Sequence, residues 1–151
     1  MKVAAMPNQT AVKFGHPDTL VADYEHWCVL LRPGQVTLGS LVLVCKDAAQ
    51  RFSDISPEAF AELAQAARDI ETGLPAFRPY DKINYLMLMM LDPDVHFHVI
   101  PRYGSPQTFE AVEFADAGWP GPPQLGAAVT PEADVRDRLL AAIRAGWPDT
   151  R

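Results

Sequence analysis

Cysteine is scarce. The 151-residue chain has two, Cys28 and Cys45, without a Cys-x-x-Cys spacing. That excludes a disulfide framework or a zinc knuckle as its organising device. The opening residues carry one basic side chain and no long apolar core, so no signal peptide is expected, and a reducing cytoplasm is the expected compartment. Basic residues are also in deficit. Lys and Arg number 13 against 19 Asp and Glu, a formal net charge of -6, which excludes a general basic surface for a DNA or RNA polymer. No apolar run reaches the roughly 18 residues that a membrane span needs, so no membrane association is expected. Histidine is rare, with four in the chain, yet two of them stand at positions 96 and 98. Hydrophobic residues make up 48% and charged residues 21%, the balance of a globular domain. A chain of this length can bury enough surface to fold without a staple.

The chain reads as one domain over 1–151, with a core at about 25–105 and an extension at 106–151. Residues 1–23 show little periodicity and read as a leader lying against the domain. Segment 25–31 is rich in aromatic and β-branched types and predicts a strand, closed by Arg32-Pro33-Gly34. Segment 40–45 is nearly continuously apolar and predicts a strand buried on both faces. Ser56 as N-cap, Pro57 at the first position and Glu58 in the first turn start a helix. Its predicted core stripe is Phe60, Leu63, Ala64, Ala67 and Ile70; Gly73 is placed to close it and Pro75 to prevent resumption. Segment 82–91 predicts a third strand whose methionines fill the core. Asp92-Pro93 then predicts a tight hairpin into a fourth strand at 95–100. After the stiff Pro- and Gly-rich connector at 118–123, Thr130 and Pro131 start a last helix that carries Val135, Leu139, Ala142 and Ile143 and ends at Gly146. The order predicts an α+β fold: an antiparallel β-sheet of about five strands with a central and a C-terminal helix.

The chemistry concentrates in residues 94–102. Residues two apart on a strand share a face, so Asp94, His96 and His98 are predicted to project together while Val95, Phe97 and Val99 enter the core. Two imidazoles on one rigid face disfavour each other's protonation, and a neutral imidazole is a good nucleophile near pH 7. From spacing alone three readings stay open: phosphorus chemistry at one His with its neighbour handling the leaving-group proton, a metal held by Asp94, His96 and His98, or structural histidines.

The run His96-Phe97-His98-Val99-Ile100-Pro101-Arg102 resembles the end of the histidine triad (HIT) motif, His-φ-His-φ-His-φ-φ with φ apolar, and its Pro-Arg ending resembles that of the fragile-histidine-triad branch. Upstream, residues 39–45 followed by 51–58 resemble the strand-loop-helix that precedes the motif there, so the likeness covers roughly 25–102. The resemblance implies an antiparallel sheet with two helices, a homodimer, and a nucleotidyl hydrolase or transferase acting on a small phosphorylated nucleotide. It implies that His96, in the middle place, attacks the α-phosphorus to form a nucleotidyl-histidine and that His98 assists protonation of the leaving group. No metal or cofactor is implied, apart from Mg²⁺ arriving with the substrate. An alternative is a nucleotide-binding or regulatory protein of low turnover.

The chain departs from that pattern at several places. Asp94 stands in the first triad position; its backbone carbonyl could orient His96, while its carboxylate would repel phosphate. Ser40 follows Gly39 where the family often has His, and Leu31-Arg32 occupies the region of a sugar-contacting Asn. The hairpin at Asp92-Pro93 is shorter than the branch's substrate loop. Asn84, Arg102, Ser40 and Arg32 are the candidate substrate-binding residues, each with a structural alternative: strand pairing for Asn84, a salt bridge for Arg102, solvation at a turn for Arg32. His16 and His26 are read as non-catalytic.

Overall fold

A computed structural model describes residues 7–148. It is α+β, as the order of elements predicts. Strands β1 (Leu20–Asp23), β2 (Trp27–Leu31), β3 (Leu41–Cys45), β4 (Lys82–Leu86) and β5 (His96–Arg102) form a five-stranded antiparallel sheet in the order β1-β2-β3-β5-β4. All residues of β2 and β3 are buried, because both faces of the sheet are covered there. Trp27, Val29, Leu31, Leu41, Leu43 and Cys45 pack into the main core under helices α2 (Pro57–Phe77) and α3 (Ala133–Ala145). The alternate residues Cys28, Leu30, Val42 and Val44 pack on the other face with Ala11 and Phe14, which belong to or follow a short helix α1 (Gln9–Lys13). The leader at 7–23 is thus one helix and one strand, each too short to leave a periodic signal in the sequence.

Helix α2 starts as predicted, with Ser56 Oγ accepting from Ala59 N at 3.1 Å, but it does not stop at Gly73. It runs through Pro75 to Phe77, because a proline one turn from the end removes only one intrahelical bond, and Arg78 N closes the last turn on Leu74 O at 2.8 Å. Gly73 serves packing instead: a Cβ there would lie 2.4 Å from Trp147 Cε3. The buried stripe is Ala59, Ala66, Asp69, Ile70 and Leu74. Phe60 and Ala64, predicted to be in the core, are exposed, and Asp69 is buried with its Oδ2 accepting from Tyr24 Oη at 2.8 Å.

The predicted third strand is cut short. β4 ends at Leu86, paired with His98, and residues 87–95 form an irregular loop rather than a tight hairpin at Asp92-Pro93. Met90 and Leu91 are 82% and 86% exposed and leave the core, whereas Met87 and Met89 pack against it, partly buried. Met89 adopts φ 55, a left-handed conformation that breaks strand pairing. Beyond β5, strands β6 (Gln107–Phe109) and β7 (Val112–Phe114) make a two-stranded hairpin. Its turn residues Glu110 and Ala111 both have positive φ, the geometry of a tight hairpin without the Gly or Asn that would have announced it. Helix α3 begins at Ala133, not at Pro131, with Glu132 as an N-cap that makes no side-chain bond. It contributes Leu139, Leu140 and Ile143 to the main core.

Candidate functional site

His96 and His98 occupy the N-terminal half of β5, on the face that α1 covers. Their ring centroids are 5.2 Å apart and steeply inclined, and the Phe14 ring lies 6.1 Å from His96 and 5.8 Å from His98. Both rings line a cavity of about 290 Å³ walled by Lys13, Phe14, Arg32, the loop 88–92 and Leu125. The walls are mostly apolar, and Lys13, Arg32, Asp92 and the two imidazoles supply the few polar groups, the usual make-up of a small-molecule site.

The two imidazoles hold different protons. His96 Nδ1 lies 2.7 Å from the backbone oxygen of Asp94. A carbonyl only accepts, so Nδ1 carries the proton and neutral His96 keeps its lone pair on Nε2. His98 Nδ1 accepts from Arg32 Nε at 3.3 Å. A guanidinium only donates, so neutral His98 carries its proton on Nε2. Burial, then the Arg32 guanidinium, then His96, push the His98 imidazolium down to about 4, with Asp92 opposing and Lys13 assisting. His98 is therefore uncharged near neutral pH.

Asp94 does not present its carboxylate beside the histidines. β5 begins only at His96, so strand alternation does not extend to residue 94. Asp94 Oδ2 accepts from Thr10 Oγ1 at 2.8 Å and Thr10 N at 3.2 Å, and Thr10 Oγ1 accepts from Asp94 N at 3.2 Å. The carboxylate thus clips α1 to the sheet at the N-terminal end of that helix, where negative charge is favoured. The predicted three-sided metal set is not assembled, and among the described residues no group of three or more His, Cys, Asp or Glu is placed to hold a metal ion.

The remaining predicted residues separate. Arg32 is in the cavity rather than solvated; its Nη1 donates to Gly34 O at 2.5 Å, and burial lowers its pKa. Arg102 and Asn84 sit elsewhere. Arg102 is 4% exposed and gives its guanidinium to Asp116 at 2.7 and 2.9 Å, to Asn84 Oδ1 at 2.7 Å and to Gly121 O at 2.8 Å. It fastens the connector to the sheet with four of its five N–H groups and does not line the histidine cavity. Ser40 is fully buried, its hydroxyl donating to Thr37 O at 2.8 Å and accepting from Thr37 N at 3.0 Å, so it shapes the β2–β3 turn. His26 pairs with Asp47 at 3.3 Å, away from the cavity. Burial pushes Cys28 up to about 12 and Cys45 up to about 11, so neither is a ready thiolate.

Sequence reasoning missed Lys13, Phe14, Leu125 and the loop 88–92. Lys13 Nζ meets Asp92 Oδ1 at 2.8 Å across the cavity wall. None of these residues belongs to a local motif; they meet only when α1 and the loop fold over β5.

No family model and no curated protein matches the chain. Solved structures do. A histidine triad (HIT) protein from Sinorhizobium meliloti superposes with a TM-score of 0.73 at 20% identity, over 93% of this chain and 96% of that one. A histidine triad protein from Marinobacter aquaeolei gives 0.71 at 19%, over 94% and 95%. A Zn-bound histidine triad family protein from Mycobacterium smegmatis gives 0.57 at 19%, over 90% of each chain. At these identities the likeness establishes a shared fold, that of histidine triad proteins.

Proposed function

We propose that the chain is a nucleotidyl hydrolase or transferase of the histidine triad type, with Asp94 in the first triad place and a covalent nucleotidyl intermediate on His96. One observation carries the reading: the Asp94 carbonyl holds His96 Nδ1–H at 2.7 Å, leaving Nε2 as the free nucleophile in a cavity of about 290 Å³. In the first step the Nε2 lone pair attacks the α-phosphorus. The N–P bond forms as the bond to the leaving group breaks, and the leaving group takes that electron pair. The Nδ1–H···O bond to Asp94 stabilises the positive charge left on the ring. Water then attacks phosphorus, the N–P electron pair returns to Nε2, and the water's proton passes to solvent; a different acceptor makes the reaction a transfer. Arg32 and Lys13 offer the positive charge for phosphate oxygens, and Phe14, Leu88, Leu91 and Leu125 are the apolar surface for base and sugar. The scheme needs no resident metal; Mg²⁺ enters only with the substrate.

The protein is proposed to act in the cytoplasm as a homodimer. β4 is an edge strand, beside a recess lined by Leu63, Ala67, Tyr85 and Phe97, where a second copy would extend the sheet. Sedimentation analysis tests this directly. No helix among the described residues is long and apolar enough to cross a membrane.

A low-turnover binding protein is the second reading, favoured by the Lys13–Asp92 pair, which places a carboxylate where it competes with a phosphate. Mass spectrometry of acid-quenched protein after mixing with nucleoside phosphoanhydrides and phosphoramidates separates the two. The expected outcome is a nucleotide-sized adduct on His96 that His96→Ala lacks. Turnover that survives His96→Ala removes the covalent mechanism.

A further inference from the structure

The hydrogen bond between Arg32 and His98 has no part in the attack on phosphorus described above, and it constrains what can leave. His98 Nδ1 accepts from the Arg32 guanidinium, and that guanidinium is itself held at the end of β2 by Gly34 O at 2.5 Å. The backbone there is fixed in turn: Gln35 Nε2 donates to Arg32 O at 2.7 Å and to Ser40 O at 2.9 Å, while its Oε1 accepts from Gly39 N at 2.7 Å. This is a braced donor, aimed at one nitrogen of one imidazole.

We propose that Arg32 is a positioning residue that fixes His98 as a neutral Nε2–H hydrogen-bond donor, and that the site therefore selects nucleotide anhydrides and esters whose leaving group departs as a stable anion over phosphoramidates, whose amine must be protonated to leave. The proposal rests on the covalent reading above and names its substrate class.

The chemistry is as follows. A phosphate, carboxylate or acidic phenolate can take the electron pair of the breaking P–O bond and depart unprotonated. His98 then supplies a hydrogen bond, sharpened by the cation on its other nitrogen, and keeps its proton. An amine leaving from phosphorus must receive a proton as the P–N bond breaks, which requires an imidazolium or another acid in contact. The groups facing His98 do not supply one. Arg32 holds its protons, His96 is the nucleophile, Lys13 is held by Asp92 at 2.8 Å, and Phe14 covers the ring edge-on. Asp92 alone favours a charged His98, and burial together with Arg32, His96 and Lys13 outweighs it.

The first measurement needs no substrate. Long-range ¹H–¹⁵N correlation spectra of the full chain at pH 7 should show His98 with its proton on Nε2, bare Nδ1 and no charge. A proton on His98 Nδ1, or a charged ring at that pH, overturns the proposal whatever the enzyme does. In Arg32→Met the fixed tautomer should be lost and the ring should titrate nearer the ordinary histidine range. Arg32→Gln is the second variant should that one fail to fold: its amide can still donate to Nδ1, so the tautomer should survive while the titration moves upward. The second measurement compares kcat/KM for p-nitrophenyl esters and phosphoramidates of the four nucleoside 5′-monophosphates. The ester should be favoured by at least about 10²-fold, the usual contribution of a missing general acid. That ratio should narrow in Arg32→Met, and the ratio is the readout because loss of the guanidinium weakens binding of both. Equal rates on ester and phosphoramidate, or a ratio unmoved by Arg32→Met, overturn the substrate assignment. Absence of any His96 adduct with either class, with the tautomers as stated, overturns the covalent reading and not the Arg32–His98 geometry.

Discussion

The two ends of β5 make an instructive contrast. His96, His98 and Arg102 all lie on one strand, all are buried, and all were candidates for the same chemistry. At the C-terminal end Arg102 meets a carboxylate, an amide oxygen and a carbonyl, which take four of its five N–H groups and tie it to the connector, away from the histidine cavity. At the N-terminal end each imidazole has one nitrogen engaged, by a carbonyl or by a guanidinium, and the rings line a cavity. Burial alone does not mark a site. What marks it is a buried polar group whose partners leave one atom facing open space.

The contrast can be broken at either end. His96→Ala should lower kcat/KM by about 10⁴-fold or more, as loss of a nucleophile does, with little change in thermal unfolding. Arg102→Met should do the reverse. It strands the Asp116 carboxylate, which is 1% exposed, and should cost about 3–5 kcal/mol of stability, read by denaturant unfolding. The folded fraction should turn over normally, and Arg102→Met with Asp116→Leu should recover most of the loss.

A third expectation sharpens the electrostatic side. His98 is pushed down to about 4 when folded, whereas an unfolded histidine titrates near its ordinary value of about 6.5. Between those values the unfolded chain binds more protons, so stability rises with pH there. The contribution of His98 is fully present above about 6.5 and is lost as pH falls towards 4, by up to about 3 kcal/mol. Chemical unfolding of wild type and His98→Asn at several pH values checks this, and the difference between them should shrink on acidification. The smallest effect is expected at Asp94→Asn. The carbonyl that orients His96 remains, and an amide oxygen can still accept from Thr10, so kcat/KM should stay within about threefold while stability falls by about 1 kcal/mol, the loss of charge assistance to one bond. Abolished activity in a folded Asp94→Asn protein would show that the carboxylate itself takes part.

Local patterns were legible in the sequence. The apolar runs of β2 and β3, the Ser56 cap and the His-x-His spacing each depend on residues close together in the chain, and each stands where it was read. Three kinds of feature were not legible. One was the stopping point of an element: Pro75 is tolerated because so little helix follows it, and 87–91 looks like a strand because apolar loop residues and apolar strand residues have the same composition. Another was the difference between a charged residue that waits for a ligand and one already paired, since Asp116 lies 14 residues from Arg102 and nothing local links them. The third was the roof of the cavity. Thr10 and Asp94 are 84 residues apart, and no periodicity reports a contact of that span.

That clip also bears on how the molecule is made. Synthesis runs from the N-terminus, so α1 leaves the ribosome before β2 and β3, whose second face it covers, and long before Asp94. Until β5 has been added, α1 lacks the Asp94 clip and keeps only the bond from Asn8 Nδ2 to Cys45 O at 2.9 Å, so Leu30, Val42 and Val44 have a loosely held cover. The cavity closes after a long chain segment has been translated, when the entropy of joining such distant residues is offset by the completed sheet. A pause in translation just before residue 94 would therefore hold the nascent chain in its stickiest form, with an apolar sheet face loosely covered and β5 not yet made.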